Sequence, residues 1–120
     1  MSKQQEVYLG NPNLKKANIS QEFSAAEVEE YLKCANDPVY FIRQYIKIVS
    51  LDEGVIPFTM YDFQEEMVKK FHDDRFNIAK LPRQSGKSTI VTAYLLWYVL
   101  FVDNVNVAIL ANKAATAREM

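Results

Sequence analysis

Cysteine and histidine are almost missing from this chain of 120 residues: Cys34 and His72 are the only ones. A single cysteine excludes an intrachain disulfide framework and a multi-cysteine zinc site, and a reducing compartment is the simpler reading. His72 has only Asp73 and Asp74 beside it, so it reads as a surface residue at a helix end rather than a metal ligand. Cys34 reads as a packing residue. Net charge is also nearly absent, with 14 Lys and Arg against 15 Asp and Glu. No overall basic character argues for nucleic acid, and any DNA contact needs a local patch. The longest apolar run, "IVTAYLLWYVLFV" from Ile90 to Val102, is shorter than the roughly 18–20 residues of a membrane span and reads as a buried helix. The polar opening "MSKQQEVYLG" does not read as a signal peptide. What remains is a globular composition, 49% hydrophobic and 24% charged, sized for one small domain. It is short for a complete nucleotide-hydrolysing machine.

Residues 1–21 are polar and turn-rich, with Gly10, Asn11, Pro12 and Asn13, and are expected to form a loosely docked arm. Residues 22–60 read as a helical region and connector. Its first helix starts at Ser24, where "SAAE" is a capping box, and runs to about Ala35. Asp37 and Pro38 suit the cap and first position of a second helix. Val39, Ile42, Tyr45, Ile46 and Val49 extend that helix to about Ser50 along one apolar face. A connector with Gly54 and Pro57 follows. A third helix covers about Tyr61 to His72, with Phe63, Met67 and Phe71 at four-residue spacing facing a core and Gln64 beside that stripe. Phe76 to Leu81 then reads as a short strand, Lys87 to Phe101 as a long apolar helix, and Val105 to Ala111 as a buried strand before a final helix begins. Strand, loop, helix and strand form an α/β unit of the nucleotide-binding kind. No internal repeat or low-complexity segment is present.

The loop of that unit is "LPRQSGKST". A polyphosphate needs several donors converging on it. A strand turning sharply into a helix supplies backbone amides and a positive dipole end. The amides of Gln84, Ser85, Gly86, Lys87 and Ser88 are the expected donors. Gly86, without a Cβ, lets the backbone come close. Lys87 is expected to bridge the β- and γ-phosphates, Ser88 to ligate Mg²⁺ and Thr89 to bond the α-phosphate. The pattern G-x-x-x-x-G-K-[ST] asks for a glycine where Leu81 stands, but that residue serves the turn rather than the phosphate contacts. Pro82 stiffens the loop instead. Arg83 reads either as an arginine stabilising charge on the transferring phosphoryl group or as one arm of a salt bridge bracing the loop. Two look-alikes fail. "YVLFVD" ends in Asp103 like a Mg²⁺-binding strand, but it continues the long helix, and Asn104 follows where a catalytic Glu belongs. "ANKAA" has Ala115 where a guanine-reading carboxylate is needed.

The segments "VYLGNPNLKKANIS", "VEEYLKCANDPVYFIRQYIKI", "GVIPFTMYDFQEEMV", "LPRQSGKST" and "VAILANKAATARE" resemble, in order and spacing, the large terminase subunit of T-even-like tailed bacteriophages. The likeness spans nearly the whole chain. The family loop is similar to S-R-Q-x-G-K-T. Here Pro82 replaces the Ser, with loss of a hydroxyl and an amide donor, and Ser88 replaces the Thr. The resemblance implies a P-loop NTPase core of the RecA/ASCE-like α/β class, begun by residues 61–120 and incomplete within them, preceded by the N-terminal helical region. It implies an ATPase with ATP and Mg²⁺ as cofactors, driving double-stranded DNA into a capsid. The implied assembly is an oligomeric ring on a portal protein, with a small terminase subunit as partner. The implied location is the host-cell cytoplasm and, transiently, the procapsid. It makes Gln64 the adenine-reading glutamine and Arg83 the cis-acting arginine, with Arg83 and Lys87 the catalytic residues. The family's Walker B Asp, catalytic Glu and nuclease domain have no counterpart in these residues. The chain is therefore expected to be an N-terminal fragment, hydrolytically incompetent alone and aggregation-prone through unpaired strand edges. Two other readings stay open: another P-loop motor such as a DNA helicase, disfavoured by Arg83–Gln84, and a non-catalytic helical interaction module with an inert loop.

Overall fold

The computed structural model describes residues 7–119, so Met1 to Glu6 of the polar arm and Met120 lie outside the described residues. The rest of the arm holds a small hairpin. Strand β1 (Val7–Tyr8) pairs antiparallel with β2 (Asn11–Lys15), and Leu9 and Gly10 both take positive φ in the tight turn between them. Nearly every side chain of this hairpin is exposed.

Helix α1 (Ala25–Asn36) begins where the capping box places it. The Ser24 hydroxyl accepts from the Glu27 amide at 3.3 Å, and the Glu27 carboxylate accepts from the Ser24 amide at 2.8 Å. Asp37 ends α1 and starts α2 (Pro38–Tyr45). Its amide donates to Lys33 O, and its carboxylate accepts from the amides of Val39 and Tyr40. The proline at Pro38 has a cost. A helix continuing through it would satisfy the Cys34 carbonyl with an N–H that proline lacks. Trp97, from a distant helix, supplies the missing donor: its indole Nε1 donates to Cys34 O at 2.7 Å in the buried core.

The second helix is shorter than its apolar pattern suggests. After Tyr45 the chain forms β3 (Lys47–Ser50), which pairs antiparallel with β4 (Gly54–Pro57), Ile48 facing Ile56. The expected helix to Ser50 and the expected plain connector are thus replaced by a hairpin. Ile46, Val49 and their neighbours fit a helical period, but burial alternates from Ile46 to Ser50 as it does along a strand. The turn that closes the hairpin is built from Ser50 Oγ, which accepts from the amides of Asp52 and Glu53, and from Gly54 at φ +75°. The Phe58 amide then donates to Ile46 O and docks the hairpin base on the end of α2.

Helix α3 (Asp62–Asp73) is rotated from the expected orientation. Gln64 and Val68 are its fully buried residues, Met67 and Phe71 are half-buried, and Phe63 lies 38% exposed, stacked on Tyr61. The stripe of Phe63, Met67 and Phe71 is therefore the flank of the buried face. Helix α4 (Lys87–Phe101) has the expected bounds and carries Ile90, Ala93 and Trp97 into the core. With Cys34, Val39, Phe41, Ile42, Phe58 and Val68 these residues form one cluster among the four main helices. Tyr94 adds a tie by donating to the Phe71 carbonyl near the end of α3. Burial pushes the Cys34 thiol up from its ordinary value, as suits an inert packing residue.

The two segments expected as strands form none. Phe76 to Leu81 and Val105 to Ala111 take part in no ladder among the described residues, and both sheets are two-stranded hairpins. The segment 105–111 is not buried: Val105 is half-covered and the residues after it are exposed. A strand needs a neighbour for its N–H and C=O groups, and neither segment has one. A short helix, α5 (Ala114–Arg118), follows.

Candidate phosphate-binding loop

The loop between Leu81 and α4 is shaped by two left-handed residues. Gln84 has φ +59° and Gly86 φ +73°, ψ 17°, while Ser85 between them is not in the positive-φ region. A side chain rarely occupies the left-handed region, so Gln84 there marks a specific backbone shape. Turns with left-handed residues are a recurrent frame for anion-binding concavities built from successive N–H groups. The Ser85 hydroxyl donates to Pro82 O at 2.9 Å and closes the turn.

Gly86 is the N-cap of α4, and its carbonyl accepts the first helical bond from the Ile90 amide at 3.1 Å. The amides of Gly86, Lys87, Ser88 and Thr89 make no backbone bond among the described residues, as at any helix start without a side-chain cap. Lys87 and Ser88 are exposed, Thr89 half-buried. Arg83 is exposed and, among the described residues, pairs with no carboxylate, and the same holds for Lys87. The bracing salt bridge considered for Arg83 is thus not formed here. Ser88 and Thr89 also border a cleft of about 360 Å³ with Ile46, Ile48 and Glu119, whereas Arg83 to Lys87 lie off it.

Helix α3 brings Gln64 against this loop. Its side chain is 1% exposed. Oε1 accepts from the Tyr61 amide at 2.9 Å, so Gln64 caps its own helix start, and Nε2 faces the carbonyls of Ser85 and Gly86 at 3.4 Å each, two long bonds shared by one amide group. A Cβ on Gly86 would stand 2.5 Å from Gln64 Nε2, so this contact requires the glycine sterically as well as conformationally. The structure therefore brings Gln64, Gln84, Ser85, Gly86, Lys87, Ser88 and Thr89 together, with Arg83 on the loop rim. Sequence reasoning alone missed that Gln64 is buried. The three-residue spacing from Tyr61, which matches the carboxamide half of a capping box, was the available signal.

Among the described residues no group of three or more His, Cys, Asp and Glu side chains is placed to hold a metal ion. Ser88 presents an exposed side chain in the first turn of α4. No helix among the described residues is long and apolar enough to cross a membrane. No family model matches the chain.

Proposed function

We propose that Arg83 to Thr89 form the phosphate-binding loop of a nucleotide-dependent motor, bound to Mg²⁺ and ATP, of the DNA-packaging type that the large terminase subunit represents. The observation that carries the nucleotide site is the backbone: left-handed Gln84 and Gly86 around Ser85, opening directly onto the free amides of α4. In this reading the amides of Gly86 to Thr89 receive the polyphosphate and the Lys87 ammonium neutralises it. Ser88 Oγ joins the coordination of Mg²⁺. Arg83, paired with no carboxylate among the described residues, is available to phosphoryl oxygens. The packaging role, the ring on a portal and the DNA and small-subunit partners rest on the sequence resemblance. The P-loop core likewise remains part of the proposal, because the flanking segments form no sheet.

The test is titration of Mg·ATP into the chain and into its Lys87→Ala variant. Loss of one charge-assisted contact is expected to weaken binding about 10- to 100-fold. Equal binding by the two proteins would favour an inert loop on a helical interaction module.

A further inference from the structure

We infer that Gln64 is a positioning residue for the loop backbone, setting affinity for the polyphosphate whatever base is attached. The inference rests on the nucleotide-site reading above and deepens it. The argument starts from the peptide unit. In a trans peptide the carbonyl and the following N–H point in opposite directions, and the described chain has no cis bond. Gln64 Nε2 faces the carbonyls of both Ser85 and Gly86. Anchoring these two oxygens on α3 turns the N–H groups of Gly86 and Lys87 away from Gln64, toward the outer side of the loop. Two successive amides are thereby aimed the same way.

Gln64 also replaces a helical donor. Had α4 begun one residue earlier, the Thr89 amide would bond to Ser85 O. Gln64 takes that oxygen instead, and the Thr89 amide makes no backbone bond. The Gly86 contact shows how close the fit is, since any side chain there would displace Gln64. The carboxamide has little left for a nucleobase. Its two N–H donors face the loop, and its oxygen accepts from Tyr61. Pairing with adenine would require the cap of α3 and the loop contacts to be released together, around a side chain that is already buried.

The experiment compares Mg·ATP, Mg·GTP and Mg·tripolyphosphate binding to the full chain and to Gln64→Met and Gln64→Glu. Met fills the site without donors. Glu keeps the acceptor for the Tyr61 amide, and so the helix cap, but has no N–H for the loop. Gln64→Met is expected to weaken all three ligands by the same factor, about tenfold for two weak hydrogen bonds. Gln64→Glu is expected to lose at least as much binding, and its urea midpoint to fall as well, because a carboxylate would be buried against two carbonyl oxygens. In the ligand-free chain, amide exchange should quicken in Gln64→Met at Ile90, whose amide is bonded to the Gly86 carbonyl, and stay unchanged in α1 and α2. Loss of ATP affinity with tripolyphosphate affinity intact would overturn the inference and make Gln64 a base reader. Unchanged binding of all three ligands by Gln64→Met would overturn it too. A wild-type chain that binds none of them would overturn the nucleotide site itself, and this inference with it.

Discussion

Two sets of apolar residues lie side by side in this molecule and are treated differently. Ile42, Val68, Ile90 and Trp97 on the helices are sealed from water, whereas Phe76, Ile78 and Leu110 in the segments on either side of α4 are 82%, 102% and 92% exposed. The side chains are chemically alike, so hydrophobicity does not separate them. The backbone does. A helix closes its own hydrogen bonds and can offer its apolar stripe to whatever lies next to it. A segment without ladder partners must first find another chain segment for its N–H and C=O groups. The helices therefore collapse on one another here, and the two flanking segments stay outside.

The strongest test of that contrast lies at Trp97. Its ring packs among Tyr94, His72 and Phe101, and its indole nitrogen closes the carbonyl that Pro38 leaves without a partner. Trp97→Ala is expected to cost about 3–5 kcal/mol by urea unfolding. Trp97→Phe keeps most of the ring but orphans Cys34 O, for about 1–3 kcal/mol. If Trp97→Phe unfolds at the wild-type midpoint, the hydrogen bond to Cys34 is not what joins α4 to α1.

A smaller, pH-dependent effect is expected where α1 meets α2. The hydroxyls of Tyr40 and Tyr45 donate to Glu30 Oε1 at 2.8 and 2.9 Å. The Tyr40 bond first and the Tyr45 bond second hold the Glu30 carboxyl below its ordinary value, and the same contact pushes the Tyr40 phenol up to about 12. For Glu30 the folded value is lowered, so its contribution is present above the ordinary carboxylate range and fades as pH falls through the folded value. For Tyr40 the folded value is raised, so its contribution is complete below the ordinary phenol value near ~10 and is lost as pH rises through about 12. Glu30→Gln keeps an acceptor that does not titrate. Its urea midpoint should fall less than that of wild type between pH 7 and pH 3. An identical fall in both proteins would remove Glu30 from the acid response.

The same contrast explains what could be read in the residues. Helix signals are local: the Ser24–Glu27 box, Asp37–Pro38 and Gly86 before an apolar run each place a helix start within a residue. The loop was legible for the same reason, since Gly86, Lys87, Ser88 and Thr89 are contiguous. Two things were not. The run from Ile46 to Val49 satisfies both periods, and only the turn at Ser50 and Gly54 decides for the hairpin. The bond from Gln64 to the loop spans 21 residues of chain, and the three-residue spacing from Tyr61 marks Gln64 as a cap of its own helix without marking the distant loop it meets.

The smallest expected effect on stability is at the exposed segments, and it sharpens the comparison most. Ile78→Ser and Leu110→Ser remove apolar side chains that already meet water, so each midpoint should shift by no more than about 0.5 kcal/mol. Solubility should respond instead. Apolar segments without ladder partners invite pairing between molecules, and the double variant is expected to stay monomeric in sedimentation at concentrations where the wild-type chain associates. A midpoint loss approaching that of Trp97→Phe would mean that these residues are covered in solution by part of the same molecule. The contrast between covered helices and uncovered flanks would then fail.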